Sequence, residues 1–426
     1  MVASVDKNIF IRAYNVGFGN CFLITFTDKG RAGKPVPRNI MIDFGCAPGE
    51  SRVAFGAIME NIFQVTNGHL DVVVVSHEHT DHVSGFLDQK EAFEKFQVDH
   101  VWMGAPSKPN YYKGETASTI ERIRKLTGPF QARMRDEKAK MASSFETLLE
   151  NNLGSSAEID FVRSLPSNKR NVMYLKRGDS VRRPFSRSVS VKVLAPHECV
   201  SCYFNGNDDF DLYDLMQELG MVAKRLEGKL LKENEILHPM FSNSNFENVR
   251  CVEGTPPAFS SREVRILREK NRTFGVSEFR ALDSAINNTS LVLSLTIHGK
   301  KLFFPGDAEW ASWYWMKHCD HCVRSMDNGD VPEDDCSFCA TRIREFHSYD
   351  FVKLSQHGSR SGTPLEIFNG LKSTAKIMVT GKPNVYGIKS KIPDPDVMKM
   401  LLKNRAAENV IQFDPVDGPL WIQTQI

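Results

Sequence analysis

The first hundred residues alternate between short apolar runs and amphipathic stretches. "IFIRAYNV" and "CFLITF" flank "GFGN", where Gly17 and Gly19 permit a tight turn between two strands. "RNIMIDFG" reads as a third strand, ending near Asp43 and Gly45. "SRVAFGAIMENIFQV" carries apolar residues at helical spacing, with Ser51 placed as an N-cap. "LDVVVVS" is a continuous apolar run, as expected for a strand buried on both faces. A helix over "VSGFLDQKEAFEKF" and a strand over "VDHVWMGA" come next.

Farther along, the regular pattern is interrupted and then resumes. Short strands return at "NVMYLKRGD" and "VSVKVLAP", and "SLVLSLTIHGKKLFFPGDAE" reads as a hairpin around Gly299. The tail alternates strand, helix, strand and helix through "DFVKLSQHGS", "PLEIFNGL", "AKIMVTG" and "DPDVMKMLLKN", before "NVIQF" and "LWIQTQ". The pattern predicts one layered α/β domain over residues 1–426, interrupted by insertions at about 107–170, 200–283 and 310–345.

Composition narrows the function classes. With 41% hydrophobic and 25% charged residues and a net charge of +2, the chain has a globular composition and no global attraction to nucleic acid or membrane. No apolar stretch reaches bilayer length, and Asp6 and Lys7 stand where a signal peptide needs an apolar core, so a cytoplasmic location without membrane contact is expected. The 9 cysteines then favour thiols or metal ligands over disulfides.

The densest chemistry lies in "SHEHTDHVSG", residues 76–85, directly after the apolar "VVVV". Residues two apart on an extended segment project to one side, so His77 and His79 can converge, while Asp81 and His82 approach as the chain turns into the next helix. Imidazole and carboxylate suit zinc, manganese or iron, and four such groups suit two ions better than one. The helical H-E-x-x-H pattern fails, because position 81 is Asp.

These residues resemble the signature of the metallo-β-lactamase superfamily, whose fold is a four-layer αββα sandwich. "FFPGDAE" resembles its later ligand motif, which implies a bridging carboxylate at Asp307, and "LSQHGS" resembles its last, which implies His357. Within the superfamily, "NVGFGNCFLI", "MIDFG", "NNTSLVL" and "GKPNVYG" are most similar to the hydrolase domain of the DNA-uptake protein ComEC and its soluble relatives. Asn20, Gln356 and Ile388 depart from residues usual in that subgroup, and Asn287 or Asn288 lies where the wider superfamily has a further histidine. His197 is a possible substitute there.

The resemblance implies a metallohydrolase with two divalent ions, zinc or manganese, held by His77, His79, Asp81, His82, Asp307 and His357, with Asp81, His82 and His357 closest to catalysis. Two such ions polarise a substrate oxygen and activate water at neutral pH. A carboxylate at Asp307 fits the phosphodiesterase, nuclease and lactonase branches. Ser359 and Asn288 are the candidate substrate contacts, with Ser361 beside them. Between Arg163 and Arg187 eight Lys/Arg stand against one acid, Asp179, a cluster able to engage several phosphates of DNA, RNA or a nucleotide. The alternatives are a lactonase or esterase on the same metals and a non-catalytic recognition module that keeps the fold.

A second metal pattern lies apart from these motifs. Cys319, Cys322, Cys336 and Cys339 form C-x2-C-x13-C-x2-C, close to the spacing of a structural zinc site, with His318 and His321 as alternates. The polar stretch between the pairs cannot build a core, so a bound zinc gives it a reason to fold. Cys199 and Cys202 form a lone C-x2-C without a partner pair.

Overall fold

The computed structural model describes residues 6–30, 33–48, 54–111, 155–198, 283–318, 322, 336–382, 392–413 and 418–426. Among the described residues, fourteen strands form two sheets. The first contains β1 (Ile9–Tyr14), β2 (Gly19–Lys29), β3 (Pro35–Cys46), β4 (His69–Val75), β5 (Gln97–Gly104), β6 (Val172–Leu175) and β14 (Trp421–Gln425), in the order β14-β1-β2-β3-β4-β5-β6. The second contains β7 (Ser180–Val181), β8 (Val189–Ala195), β9 (Val292–Ile297), β10 (Lys300–Phe304), β11 (Phe351–Lys353), β12 (Lys376–Val379) and β13 (Val410–Gln412), in the order β13-β12-β11-β10-β9-β8-β7.

Each sheet joins an antiparallel part to a parallel part. In the first, β14, β1, β2 and β3 pair antiparallel and β3 to β6 pair parallel. In the second, β7 to β10 pair antiparallel and β10 to β13 parallel. The "VVVV" of β4 shows why a continuous apolar run is required. Val72 and Val74 enter the core between the sheets, whereas Val73 and Val75 face a second core beneath helices. Residue alternation puts both sets in apolar surroundings.

Helices cover both outer faces. The first sheet carries α1 (Ala54–Thr66), α2 (Thr80–Asp88), α3 (Lys90–Phe93) and α4 (Ser156–Ser164), which contribute Ile58, Phe86, Phe93 and Val162 to its outer core. The second carries α5 (Trp310–Lys317), α6 (Ser337–Phe346), α7 (Leu365–Phe368) and α8 (Pro395–Lys403), which contribute Trp313, Phe346, Phe368 and Leu401. The architecture is therefore the αββα sandwich expected from the motifs. Among the described residues, no helix is long and apolar enough to cross a membrane.

The insertions are less separate than their polar composition suggested. Residues 112–154, 199–282, 319–321 and 323–335 lie outside the described residues, and Ser51, Cys199, Cys202 and Ile388 fall outside as well. The described ends of two insertions belong to the layers: α4 packs beneath the first sheet, and α5 and α6 beneath the second. In α4, Ile159 and Val162 sit at helical spacing on one face, whereas α5 is apolar on most sides and buries Ala311, Trp313, Trp315 and Met316.

Helix α2 brings polar chemistry to the strand ends, because Asp81 and His82 lie in its first turn. It sits unusually close to β3. A Cβ on Gly45 would stand 2.4 Å from Val83 N and 2.6 Å from Thr80 O. Gly19, with φ +155°, is as tight: its Cβ would meet Gly45 O at 2.2 Å and Asp81 O at 2.7 Å. The two glycines therefore let three backbones meet at the strand ends. Gly45→Ala is expected to destabilise the protein by about 1–3 kcal/mol, the usual range for overpacking a filled interior. Urea unfolding monitored by tryptophan fluorescence checks this, and an unchanged midpoint would contradict the packing argument.

Candidate metal centre

The ligand-bearing motifs converge where the parallel strands of both sheets end. His77 and His79 follow β4, Asp81 and His82 open α2, and Asp307 follows β10. His357 lies in a short 3-10 turn after β11, with its own φ at 54° and that of Gln356 at 40°. Asp43, near the end of β3, also has a left-handed φ of 56°. Side chains other than glycine avoid this region, and such strain gathers at functional sites.

Four of the six expected ligands form one compact set. The donor atoms of Asp81, His82, Asp307 and His357 all lie within 4.8 Å of one another, and all four residues are buried. His357 Nε2 stands 3.1 Å from both Asp81 Oδ2 and Asp307 Oδ2, and His82 Nε2 stands 3.3 Å from Asp307 Oδ2. Two imidazoles and two carboxylates converging in a buried site are the donor chemistry of a divalent ion such as zinc. The residues present thus fit the metal that the motifs imply.

Neighbouring groups fix the orientation of three of the four donors. Asp43 Oδ2 accepts from His82 Nδ1 at 2.8 Å, which leaves Nε2 to face the carboxylates. Asp43 is itself held by Ser76, whose backbone N donates to Oδ1 at 2.7 Å and whose hydroxyl donates to Oδ2 at 2.8 Å. Thr380 Oγ1 lies 3.1 Å from His357 Nδ1 and does the same for that ring. Lys353 Nζ donates at 2.8 Å to both Gly306 O and Asp307 Oδ1, so only Oδ2 of Asp307 faces the imidazoles. In the amide orientation that satisfies its neighbours, Asn20 accepts from Lys353 Nζ at 3.1 Å and donates to Gly19 O and Thr380 Oγ1.

His77 and His79 stand beside this set as a pair. His77 Nε2 and His79 Nδ1 are 2.9 Å apart, and the His77 ring lies 4.1 Å from that of His82. His79 Nε2 is 3.7 Å from Asp283 Oδ1. Asn287 is one of the two asparagines considered for the position of a further superfamily histidine. Its Nδ2 donates to Glu309 Oε1 at 2.8 Å, and its buried Oδ1 has no hydrogen-bond partner among the described residues. Glu309 also accepts from Ser284 and Gln356. Burial, with the charges of Asp283 and Asp307, pushes its carboxyl up to about 7 against the hydrogen bonds from Ser284 and Asn287.

The residues expected at the substrate make hydrogen bonds within the protein. Asn288 Oδ1 accepts from the backbone N of Glu309 at 3.2 Å and of Ser312 at 3.1 Å, while its Nδ2 donates to Ser284 O at 2.9 Å. It therefore serves the start of α5. Ser359 and Ser361 both donate to Gln356 Oε1, and Gly362 N donates to Ser359 Oγ at 3.0 Å. Buried polar atoms must be satisfied, and these hydroxyls satisfy the turn that carries His357. His197, considered as a substitute ligand, stacks on Trp315 with centroids 4.6 Å apart.

The basic segment divides into two ends. Lys176 and Arg177 leave β6 on the side of the centre, but Lys176 pairs with Glu198, and Arg177 donates to the carbonyls of Trp315 and His318. Arg182, Arg183 and Arg187 are exposed at the opposite end of the sandwich. There Ser186 and Ser188 donate to Asp28 near the end of β2, and His298 at the β9–β10 turn lies 2.7 Å from Thr27 O. A run of cations in sequence is thus spread along the full height of an edge.

The charges of the centre favour exchange of protons for a metal. Burial alone would lower the His82 pKa, but Asp307, Asp81 and Asp43 outweigh it and push it up to about 10. His357 is raised against its own burial by Asp307 and Asp81. Burial would raise Asp81 and Asp307, yet Asp81 is lowered by His82 and His357, and Asp307 is held well below the usual range by Lys353, His357 and His82. His77 is pushed well down by burial and by its histidine neighbours.

A family-model comparison agrees with the first half of this site. Residues 14–120 match the family model of the metallo-beta-lactamase superfamily. That match contains "HEHTDH" and supports the superfamily; Asp307 and His357 lie beyond it, where the structure brings them to the same point. No curated protein matches the chain. Among solved structures, the metallo-beta-lactamase fold protein YhfI from Bacillus subtilis aligns over 98% of this chain and 100% of its own, at 9% identity and a TM-score of 0.33. A long form RNase Z from yeast aligns over 24% of this chain and 15% of its own, at 20% identity and a TM-score of 0.16. The fold stands on the sheets and layers themselves rather than on these superpositions.

The proton-loaded histidines have two measurable consequences. Metal needs neutral imidazole, so loading metal-free protein at pH 7 should release more than one proton per ion, and affinity should rise as pH increases from 6 to 8. Titration in a weakly buffered indicator dye measures the release; none would contradict the charge assignment. Asp43→Asn should weaken metal binding by about 10–100-fold, as loss of a carboxylate behind a ligand histidine usually does. Competition against a chelating dye measures this, and unchanged affinity would show that Asp43 does not orient His82.

Proposed function

We propose that the protein is a metal-dependent hydrolase that cleaves phosphodiesters in DNA, RNA or a nucleotide. The observation that carries this reading is the four-donor set of Asp81, His82, Asp307 and His357 with the His77–His79 pair directly beside it. One ion fits the four-donor set. The pair offers a second position with two imidazoles, where affinity is expected to be lower. Divalent zinc or manganese at these positions supplies Lewis acidity and activates water at neutral pH, and paired ions suit phosphoryl transfer. The resemblance to the ComEC hydrolase domain belongs to the same proposal, supported by the order of its motifs along the chain.

The protein's own residues prepare that chemistry. Asp43 and Thr380 keep one nitrogen of His82 and His357 directed inward. Lys353 fixes one oxygen of Asp307 and leaves the other for the centre. All four donors are almost inaccessible, at 0–3% exposure, so water is kept from their flanks and their charges act at short range. Complete retention of these donors speaks against a module that merely keeps the fold.

A second reading, an esterase or lactonase on the same metals, is favoured by one observation. The exposed arginines at 182, 183 and 187 stand at the end of the sandwich away from the centre, so they do not form a phosphate-binding rim around it. A metal-supplemented screen separates the two. The parent should hydrolyse bis-p-nitrophenyl phosphate and at least one of DNA, RNA or a cyclic nucleotide. Asp81→Ala should lower kcat/KM by more than about 100-fold, beyond the loss typical of an outer-sphere change, while circular dichroism stays the same. Turnover of lactones with no cleavage of any phosphodiester would overturn the first reading in favour of the second.

A further inference from the structure

The cysteine-rich segment takes no part in the metal centre, and its described thiols converge elsewhere. The sulfur atoms of Cys322, Cys336 and Cys339 all lie within 4.8 Å of one another. Cys339 Sγ and Cys322 Sγ are 3.6 Å apart. A disulfide requires about 2.05 Å. Two thiolates on one tetrahedral zinc, each with a Zn–S bond of about 2.3 Å, stand roughly 3.8 Å apart. The observed separation matches a shared ion and excludes a bond between the two sulfurs.

The position of the cluster indicates what such an ion would hold. Cys336 is the N-cap residue of α6, Cys339 lies in that helix's first turn, and Cys322 lies five positions beyond the last residue of α5. All three pack with Trp315 and Tyr314 of α5. The same end of α5 is gripped from outside by Arg177, which donates to the carbonyls of Trp315 and His318, and by His197 stacked on Trp315. The other end of α5 starts three residues after Asp307, with Asn288 accepting from Ser312 N. His318, an alternate donor by sequence, directs Nδ1 to Tyr314 O at 2.5 Å.

We propose that Cys322, Cys336 and Cys339 bind a structural zinc ion that clamps the C-terminal end of α5 to the start of α6, and so steadies the helix that follows Asp307. Three thiolates leave one tetrahedral position for a further donor. Thiolate donors are negative, and the N-terminus of the ten-residue α6 favours that charge. Because the site shares no ligand with the catalytic set, it stands or falls separately from the proposed hydrolase.

Zinc counted on full-length protein tests this. The double variant His82→Ala/His357→Ala disables the four-donor set and should keep one zinc per chain through dialysis. Adding Cys336→Ser and Cys339→Ser should remove that zinc. Cobalt in the histidine variant should show thiolate-to-cobalt charge-transfer absorption, absent once the cysteines are replaced. Should the serine variants fail to fold, titrating unmutated protein with an organomercurial should release one zinc in step with thiol modification, and backbone amides of α5 should then exchange faster with deuterium. The proposal is overturned if the histidine variant holds no zinc, or if mercurial blocks the cysteines without releasing it. It is also overturned if non-reducing mass spectrometry finds these cysteines in disulfides. Unchanged exchange in α5 after zinc release would overturn the clamp.

Discussion

The carboxylate of Asp307 is where the two sheets become one site. It follows β10 of the second sheet, and Lys353 of the neighbouring β11 binds its Oδ1. Its Oδ2 faces His82, delivered by α2 from the first sheet, and His357 from the second. A buried carboxylate beside Asp81 faces like charge, and burying it would be costly without partners. Lys353, His357 and His82 together keep Asp307 ionised, His82 and His357 do the same for Asp81, and the imidazoles carry protons that a metal can replace. The sandwich therefore holds its centre by charge pairing across the interface between its halves.

That arrangement requires α2 to come very near the ends of β2 and β3. Gly19 and Gly45 make the approach possible, since a Cβ at either would overlap backbone atoms of the neighbouring segments. Left-handed backbone at Asp43, Gln356 and His357 then aims the side chains. Packing on both outer faces holds these unfavourable conformations in place, and the cysteine cluster adds a tie at the end of one such helix, α5.

Much of this was legible in the sequence because its signals are local. "VVVV" before "SHEHTDH" shows a strand buried on both faces ending at a dense set of donors, and "PGDAE" and "QHGS" close similar strands. Lys353 was missed, although a lysine inside the apolar "DFVKLS" is itself a signal, because a buried cation needs a partner. The roles of Asp43, Glu309 and Asn20 depend on contacts between distant segments and have no local pattern. The partners of Ser359 and Asn288 within the protein have no local pattern either: residue type and nearness to a ligand do not show which hydroxyl or amide the protein uses for itself. The spread of the basic run is not legible in the sequence, since β6 and β7 carry its residues from one end of the sandwich to the other.

The most direct test of the central claim is metal-edge X-ray absorption of manganese-loaded protein, because manganese prefers oxygen and nitrogen donors and avoids the thiol cluster. Asp81, His82, Asp307 and His357 predict a shell of oxygen and nitrogen only, with imidazole scattering that disappears in His82→Ala/His357→Ala. Manganese that fails to bind, or a spectrum unchanged by loss of both histidines, would contradict the assignment of these four residues as a metal centre.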